Sequence, residues 1–489
     1  MSSELTTMPW IVWVILIPLI GAMACFMWPR RGNLLGMIST IATGVACIAL
    51  YLQLLDHGVL RYALGGWGAP LGIDLYSDGL SMLMLLMTAL VGLGIGLYGL
   101  GYFKQDGDNP AGFWPLWLLM WAGLNGLFLA GDVFNLYVTL ELLGLSAVAL
   151  VALAGSKSAL TGAMRYMLVS LLGSLCYLLG VVLLYHAYGT VDIQLLGTLV
   201  ESNPTTYVAM GLMIAAMVLK SALFPLHFWL PPAHASAPAP ISALLSALVV
   251  KASFYLLLRL WFDVFPTVTV DLGLVLGVLG GAAILWGSIQ ALRQTRLKLL
   301  VAYSTVAQLG YLFLPFVLLS PIAWQGGIYF VLSHALAKAA MFMAAGNVLK
   351  FGGHDRIADL DRVAQRLPIT MAAFCLAGVS LMGLPPSGGF IAKWLMLEAA
   401  LTHNQWIWAA VMIIGGLLAA GYVFKVVGFA FTESNLPHEA KPVPLTMEWA
   451  ALGLAVAAIV LGLIAPYPLA LVEIGAPFAA DTTVREVTP

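Results

Sequence analysis

The chain has 489 residues, 62% of them apolar and 9% charged, and its 21 Lys and Arg nearly balance 22 Asp and Glu for a formal net charge of -1. Soluble domains are roughly 45–50% apolar and about 25% charged, so a soluble globular protein is excluded. With no basic tail and no basic patch interleaved with aromatics, nothing supports a nucleic-acid partner either.

An apolar stretch of about 20 residues crosses a hydrocarbon core of about 30 Å as a helix. Stretches of that kind, bounded by Pro, Gly and charge, lie near 9–28, 34–55, 78–101, 113–130, 132–154, 160–187, 206–230, 240–262, 271–291, 298–319, 322–349, 368–400, 406–431 and 446–465. They predict an all-α polytopic membrane protein of about 14 transmembrane helices. No basic residue precedes the first stretch, so it reads as a retained helix rather than a secretory signal. Between the second and third spans, Leu60, Tyr62 and Leu64 and then Leu71, Ile73 and Leu75 alternate around Gly65-Gly66-Trp67-Gly68, which predicts a small external hairpin within 56–77. Cys25, Cys47, Cys176 and Cys375 sit far apart inside apolar stretches, offering neither a disulfide framework nor a metal site.

With 14 spans both termini share a side. Arg30, Arg31, Lys104, Lys157, Arg165, Arg293, Arg296, Lys298, Lys350, Arg356, Arg362, Arg366 and Lys441 then fall on one face, and Arg61, Arg259 and Arg485 on the other. The positive-inside rule places both termini on the non-cytoplasmic side of the inner (plasma) membrane. No segment outside the spans is long enough to hold a nucleotide, flavin or iron–sulfur cluster. No cofactor is therefore expected, and any redox chemistry belongs to another subunit.

A charge near the bilayer centre costs roughly 2.5 kcal/mol or more, so Glu141, Lys220, Lys251, Lys338 and Lys393 each require a partner or a wet cavity. Lys220 precedes a segment containing Pro225, and Lys393 follows Pro385-Pro386-Ser387-Gly388-Gly389, so the seventh and twelfth helices should be broken beside a lysine. Broken helices at membrane depth line cavities and offer free backbone groups to an ion path. Glu141, deep in its span, is the expected partner of Lys220, and a Glu–Lys pair that can separate changes its hold on a proton. Lys251 continues the file, and His334 and Lys338, four residues apart, share a helix face leading toward Lys393. His227 and His234 flank the end of the broken seventh helix and read equally as proton gates or loop caps. Lys425 and Arg259, near span ends, read as interfacial anchors, and Asp78 and Asp132 as interfacial residues at helix starts. Tyr166-Met167-Leu168-Val169-Ser170 parallels Tyr329-Phe330-Val331-Leu332-Ser333, which suggests two five-helix units of opposite orientation.

Several motifs occur in order: DVFNLYVTLELLGLS around Glu141, KSALFP at 220–225, PPAHASAPAPISALLSALVVK at 231–251, RLKLLVAYSTVAQLGY at 296–311, SHALAKA at 333–339 and GLPPSGGFIAKW at 383–394. Together they resemble the proton-antiporter family, which comprises antiporter-like subunits of respiratory complex I, of membrane-bound hydrogenases and of Mrp-type Na+/H+ antiporters. The resemblance implies 14 helices with two inverted five-helix repeats and broken helices 7 and 12. The expected organisation is helices 1–3 with the hairpin (1–112), a first repeat (113–262), a second repeat (271–431), and helix 14 with a short tail (446–489). It further implies that Glu141 and Lys220 form the family's ion pair, that Lys251 is its central lysine, that His334 and Lys338 belong to the polar axis, and that Lys393 is the terminal lysine. Gly65-Gly66-Trp67, Leu71-Gly72-Ile73-Asp74 and Asp78-Gly79-Leu80-Ser81 are most similar to the D subunit of Mrp antiporters. A paralogue from complex I or a hydrogenase stays open. The implied partners are other membrane subunits, the lipid bilayer, protons and, in the antiporter case, Na+.

Overall fold

The structure is a computed structural model that describes residues 9–70, 72–103, 110–268, 270–434, 440–478 and 485–486. Among them, twelve helices are long and apolar enough to cross a membrane. These are α1 (Trp10–Met27), α2 (Gly32–His57), α3 (Gly79–Tyr102), α4 (Pro110–Leu129), α5 (Val133–Ala152), α6 (Lys157–Tyr188), α8 (Ala239–Val264), α9 (Val270–Arg293), α10 (Leu297–Leu318), α11 (Pro321–Gly352), α13 (Trp406–Phe429) and α14 (Leu445–Leu463). The other two expected spans are split in two. They are α7a (Pro204–Lys220) with α7b (Leu230–Ser236), and α12a (Pro368–Met382) with α12b (Gly388–Thr402). Every apolar stretch read from the sequence is therefore helical, twelve of them long enough to span, and the two breaks fall where proline and glycine placed them.

Burial sorts the helices into an inner and an outer set. α8 and α11 are enclosed over their apolar lengths. The outer helices expose apolar rows, such as Leu34, Ile38, Ile41, Val45, Ile48, Leu52 and Leu55 on α2, at the three- and four-residue spacing of one helix face. A row that would be a liability in water is the ordinary surface of a protein in hydrocarbon. The cationic residues of the interior are thus mounted largely on helices that meet protein on every side.

The segment at 56–77 folds as an antiparallel hairpin of β1 (Leu60–Ala63) and β2 (Asp74–Ser77), with Leu60 opposite Ser77 and Ala63 opposite Asp74; Leu71 lies outside the described residues. β3 (Arg485–Glu486) pairs in parallel with β1, so the end of the chain returns to the hairpin. On this face Arg61 donates to Asp74 (2.5 Å) and Asp192 (2.6 Å), tying the hairpin to the loop after α6. Burial opposes the guanidinium charge, but the Asp74 hydrogen bond and the Asp192 charge outweigh it and raise its proton affinity above the usual arginine range.

Three readings of individual residues are corrected. Arg259 is no interfacial anchor: it is buried, and its guanidinium is clamped by Asp78 at 2.6 Å and Asp263 at 3.1 Å. Asp78 does cap α3, accepting from Ser81 N, but it is buried by that same clamp rather than placed at an interface. Asp132 caps α5 through Asn135 N. Lys425 also has protein partners, donating to Leu292 O and Gln294 O at 2.7 Å each, so it ties α13 to the free carbonyls at the end of α9. Lys104, counted with the basic face, lies outside the described residues.

Candidate functional site

α7a ends at Lys220 because the following segment cannot continue it: Ala222 adopts a positive φ of 53°, and Pro225 lacks an amide hydrogen. The carbonyls freed at such an end need partners, and Trp229 Nε1 donates to Leu219 O (3.1 Å) while its ring stacks on Tyr166. Lys220 Nζ donates to Ser170 Oγ on α6 (3.0 Å) and lies 3.7 Å from Glu141 Oε1 on α5. One turn along α6, Ser174 donates to the same Glu141 oxygen. Gly173 lies between those serines because the lysine stem runs across it, with Cε and Cγ 3.1 Å from where a Cβ would stand. The expected pair is present, held by two hydroxyls one helical turn apart.

Lys251 lies in the enclosed helix α8 and donates to Ser246 O. A π-helical turn at Leu245–Val249 widens α8 just before it, the kind of irregularity that turns a backbone carbonyl out of the regular ladder. Ser246 Oγ meets Thr305 Oγ1 on α10 at 3.0 Å. On the same turn of α10, Ser304 Oγ and Val301 O receive Lys338 Nζ from α11. Ser246, Thr305 and Ser304 therefore form a hydroxyl strip between the two central lysines.

His334 sits one turn before Lys338 on α11, with Lys251, Lys338 and Lys393 all near enough to act on it electrostatically. Both of its ring nitrogens are buried without a hydrogen-bond partner, and the ring stacks on Phe330. Lys393, on α12b beyond Pro385, Pro386, Gly388 and Gly389, donates to Leu381 O (2.7 Å), a carbonyl freed at the end of α12a, and stands 4.3 Å from the Tyr311 ring centroid and 5.9 Å from that of Phe330. It lines a mainly apolar cavity of ≈ 410 Å³ between the break, α12b and α13. Lys251, Lys338 and Lys393 are thus held by carbonyl and hydroxyl oxygens and aromatic faces rather than by carboxylates. The structure brings Lys220 onto Glu141 and Ser170, not onto Lys251.

The two histidines near the first break part company. His227 is half-buried and stacks on Phe224 beside the turn. His234 is fully buried on α7b and stacked on Phe342, within electrostatic reach of Lys298, Lys338 and Lys251. Lys298 is the residue sequence reasoning missed, having been counted as a loop cation. It is buried, with Nζ donating to Ala237 O (2.5 Å) at the junction of α7b and α8, and Asp355 accepts from its backbone amide. Its spacing held the clue: positions 298, 301 and 305 share a helix face with the hydroxyl strip. Among the described residues no group of three His, Cys, Asp or Glu is arranged to hold a metal ion.

A many-spanning helical protein with a file of buried cations through its enclosed helices is built as an ion-translocating membrane subunit. Residues 130–419 match the family described as NADH:quinone oxidoreductase/Mrp antiporter, transmembrane, and the chain belongs to that family. It is 36% identical over 453 residues to the N subunit of the NADH-quinone oxidoreductase of Desulforudis audaxviator, covering 88% of this chain and 89% of that one. It is 29% identical over 426 residues to the D subunit of the Na(+)/H(+) antiporter of Alkalihalophilus pseudofirmus, covering 85% and 86%. A chain in the structure of the Mrp complex from a Dietzia species superposes with a TM-score of 0.88 at 26% identity, over 96% of this chain and 97% of the other.

Proposed function

We propose that this chain is the proton-translocating subunit of a multisubunit Na+/H+ antiporter of the Mrp type, working beside other membrane subunits in the inner membrane with both termini outside the cytoplasm. The observation that carries the reading is the interior file from the Glu141–Lys220 pair through Lys251, Lys338 and His334 to Lys393. A buried ammonium held only by neutral oxygens is costly, so a charge arriving at Lys251 or Lys338 has reason to move on. Glu141 and Lys220 act as the switch: while paired they hold a proton between them, and when they separate Lys220 delivers it toward Lys251. The Ser246–Thr305–Ser304 strip and His334 relay it to Lys338 and Lys393, and Lys393, at the cavity beside α13, is the exit or the link to a neighbouring subunit. His227 and His234 lie on the approach to the file. Na+ is handled elsewhere or at a subunit boundary, because a lysine-lined path repels cations.

Helices 4–8 (113–262) and 9–13 (271–431) are read as two repeats of opposite orientation. In support, each has its break in the fourth helix, and the third helices α6 and α11 are both 32 residues long. The backbone of Asp132 pairs antiparallel with that of Asp192 where α5 begins and α6 has ended, and the backbone of Arg296 pairs with that of Arg356 at the corresponding place around α10 and α11. A second reading, the proton-pumping subunit of a redox-driven complex, is favoured by the 36% identity to a quinone oxidoreductase subunit.

The test is cation-induced proton movement in inverted vesicles carrying the whole gene cluster, with neither NADH nor hydrogen added. A Na+-triggered pH change in wild type that vanishes in Lys220→Ala supports the antiporter. A response that requires a redox donor shifts the reading to the driven pump. A Lys220→Ala variant with full transport removes the proton file itself.

A further inference from the structure

α8 does not end its polar face at Lys251. Lys251, Tyr255, Arg259 and Asp263 follow at four-residue steps on one side of the helix, leading toward the hairpin face. The Tyr255 hydroxyl donates to Phe128 O (2.7 Å) and lies 3.2 Å from Ser81 Oγ. Arg259 uses all five of its N–H groups: Nε to Tyr255 Oη (3.0 Å), one terminal nitrogen to Asp78 (2.7 Å) and Asp263 (3.1 Å), the other to Asp78 (2.6 Å) and Ser81 Oγ (2.9 Å). The plane is also flanked by Tyr255 and Tyr76 at 5.0 and 5.6 Å. Beyond it lies a cavity of ≈ 290 Å³ lined by Arg61, Tyr76, Asp192, Gln194, Arg259 and Asp263, with room for several waters.

The column therefore runs from the turn of Lys251, whose Nζ bonds back to Ser246 O, past the Tyr255 and Ser81 hydroxyls to a cavity rimmed by charged side chains, and it holds one group that cannot pass a proton. A guanidinium is effectively never deprotonated, and a fixed cation in a narrow polar passage opposes the entry of other cations. We propose that Arg259 is an electrostatic seal that prevents Lys251 from exchanging protons with the hairpin-face cavity, so that protons reaching Lys251 move laterally to Lys338 and Lys393 before release. Asp78 and Asp263 fix the seal by anchoring it to α3 and to its own helix, and complete donation leaves the side chain no alternative rotamer of equal energy. The inference rests on the proton file proposed above, since without that file there is nothing to seal.

The experiment measures passive proton flux through the assembled complex in vesicles under an imposed potassium-diffusion potential, with an internal pH dye and no Na+. Arg259→Gln is expected to raise flux several-fold over wild type, Arg259→Lys to stay tight, and Arg259→Gln with Lys251→Ala to return to the wild-type baseline. Should Arg259→Gln fail to assemble because Asp78 is left buried and unpaired, Arg259→Gln with Asp78→Asn removes both charges and carries the same expectation. A neutral variant that assembles and stays tight overturns the seal, as does a leak that persists without Lys251, which would report loosened packing. Na+-driven transport in the wild type, measured alongside, keeps the two readings apart: its presence with a tight neutral variant overturns the seal alone, and its absence overturns the antiporter.

Discussion

Lys220 Nζ stands 3.0 Å from Ser170 Oγ and 3.7 Å from Glu141 Oε1, so the ammonium is bonded to the hydroxyl and only electrostatically paired with the carboxylate. That geometry lets the pair loosen without leaving the lysine bare. Glu141→Gln and Glu141→Ala both leave the buried Lys220 ammonium without its countercharge, at a cost of roughly 3–5 kcal/mol, and only the glutamine keeps an acceptor for Ser174. Both variants should lose Na+-driven proton movement and melt below wild type, the alanine variant lowest because Ser174 also loses its acceptor. Equal Tm values with transport intact would show that the pair does not act as a switch.

Lys338 donates to Ser304 and Val301 O with no carboxylate among its hydrogen-bond partners. Lys338→Met keeps the volume and removes the charge, a replacement that is often neutral or stabilising by about 1–4 kcal/mol at buried ionic sites. Transport is expected to stop while thermal stability holds or rises. Transport surviving in a stable Lys338→Met protein would place the relay elsewhere.

His334 carries two buried ring nitrogens without partners, a desolvation penalty of about 1–3 kcal/mol per group. His334→Leu should therefore melt no lower than wild type while slowing proton delivery to Lys393. A drop of several degrees in Tm would instead mark the imidazole as a packing element that the fold depends on.

The break in the twelfth helix is held by close backbone approach. A Cβ on Gly389 would stand 1.9 Å from Ser380 O, and one on Gly462 of α14 1.9 Å from Pro386 O. Gly389→Ala forces the half-helices apart, and overpacking of this kind costs typically about 1–3 kcal/mol. The expected result is reduced thermal stability together with impaired transport, since Leu381 O would move from Lys393; an Ala variant with wild-type stability and flux would show that the approach is not required.

Arg61 binds Asp74 in the hairpin and Asp192 after α6. Arg61→Ala should leave the spans folded yet make the 56–77 hairpin more sensitive to added protease in vesicles whose hairpin face is exposed. Unchanged cleavage would mean that the strand pairing alone fixes it.

Composition and apolar run length by themselves determined that this chain crosses the membrane about 14 times, because a bilayer demands helices and sets their length. Proline and glycine marked both breaks, since a missing amide or a residue without a side chain acts locally whatever surrounds it. The motifs named the family, and the charges that no bilayer tolerates alone named Glu141 and four lysines. What the sequence could not give was partnership. Lys298 and Arg259 looked like ordinary cations near span ends, and only packing buried the first against Ala237 O and clamped the second between Asp78 and Asp263. Nor does chain order reveal that Ser246 and Thr305, 59 residues apart, join the two central lysines, because that contact exists only once α8 and α10 lie side by side. Spans and breaks are decided along the chain by local physics, whereas the partners of the buried cations are set between helices and belong to the tertiary structure.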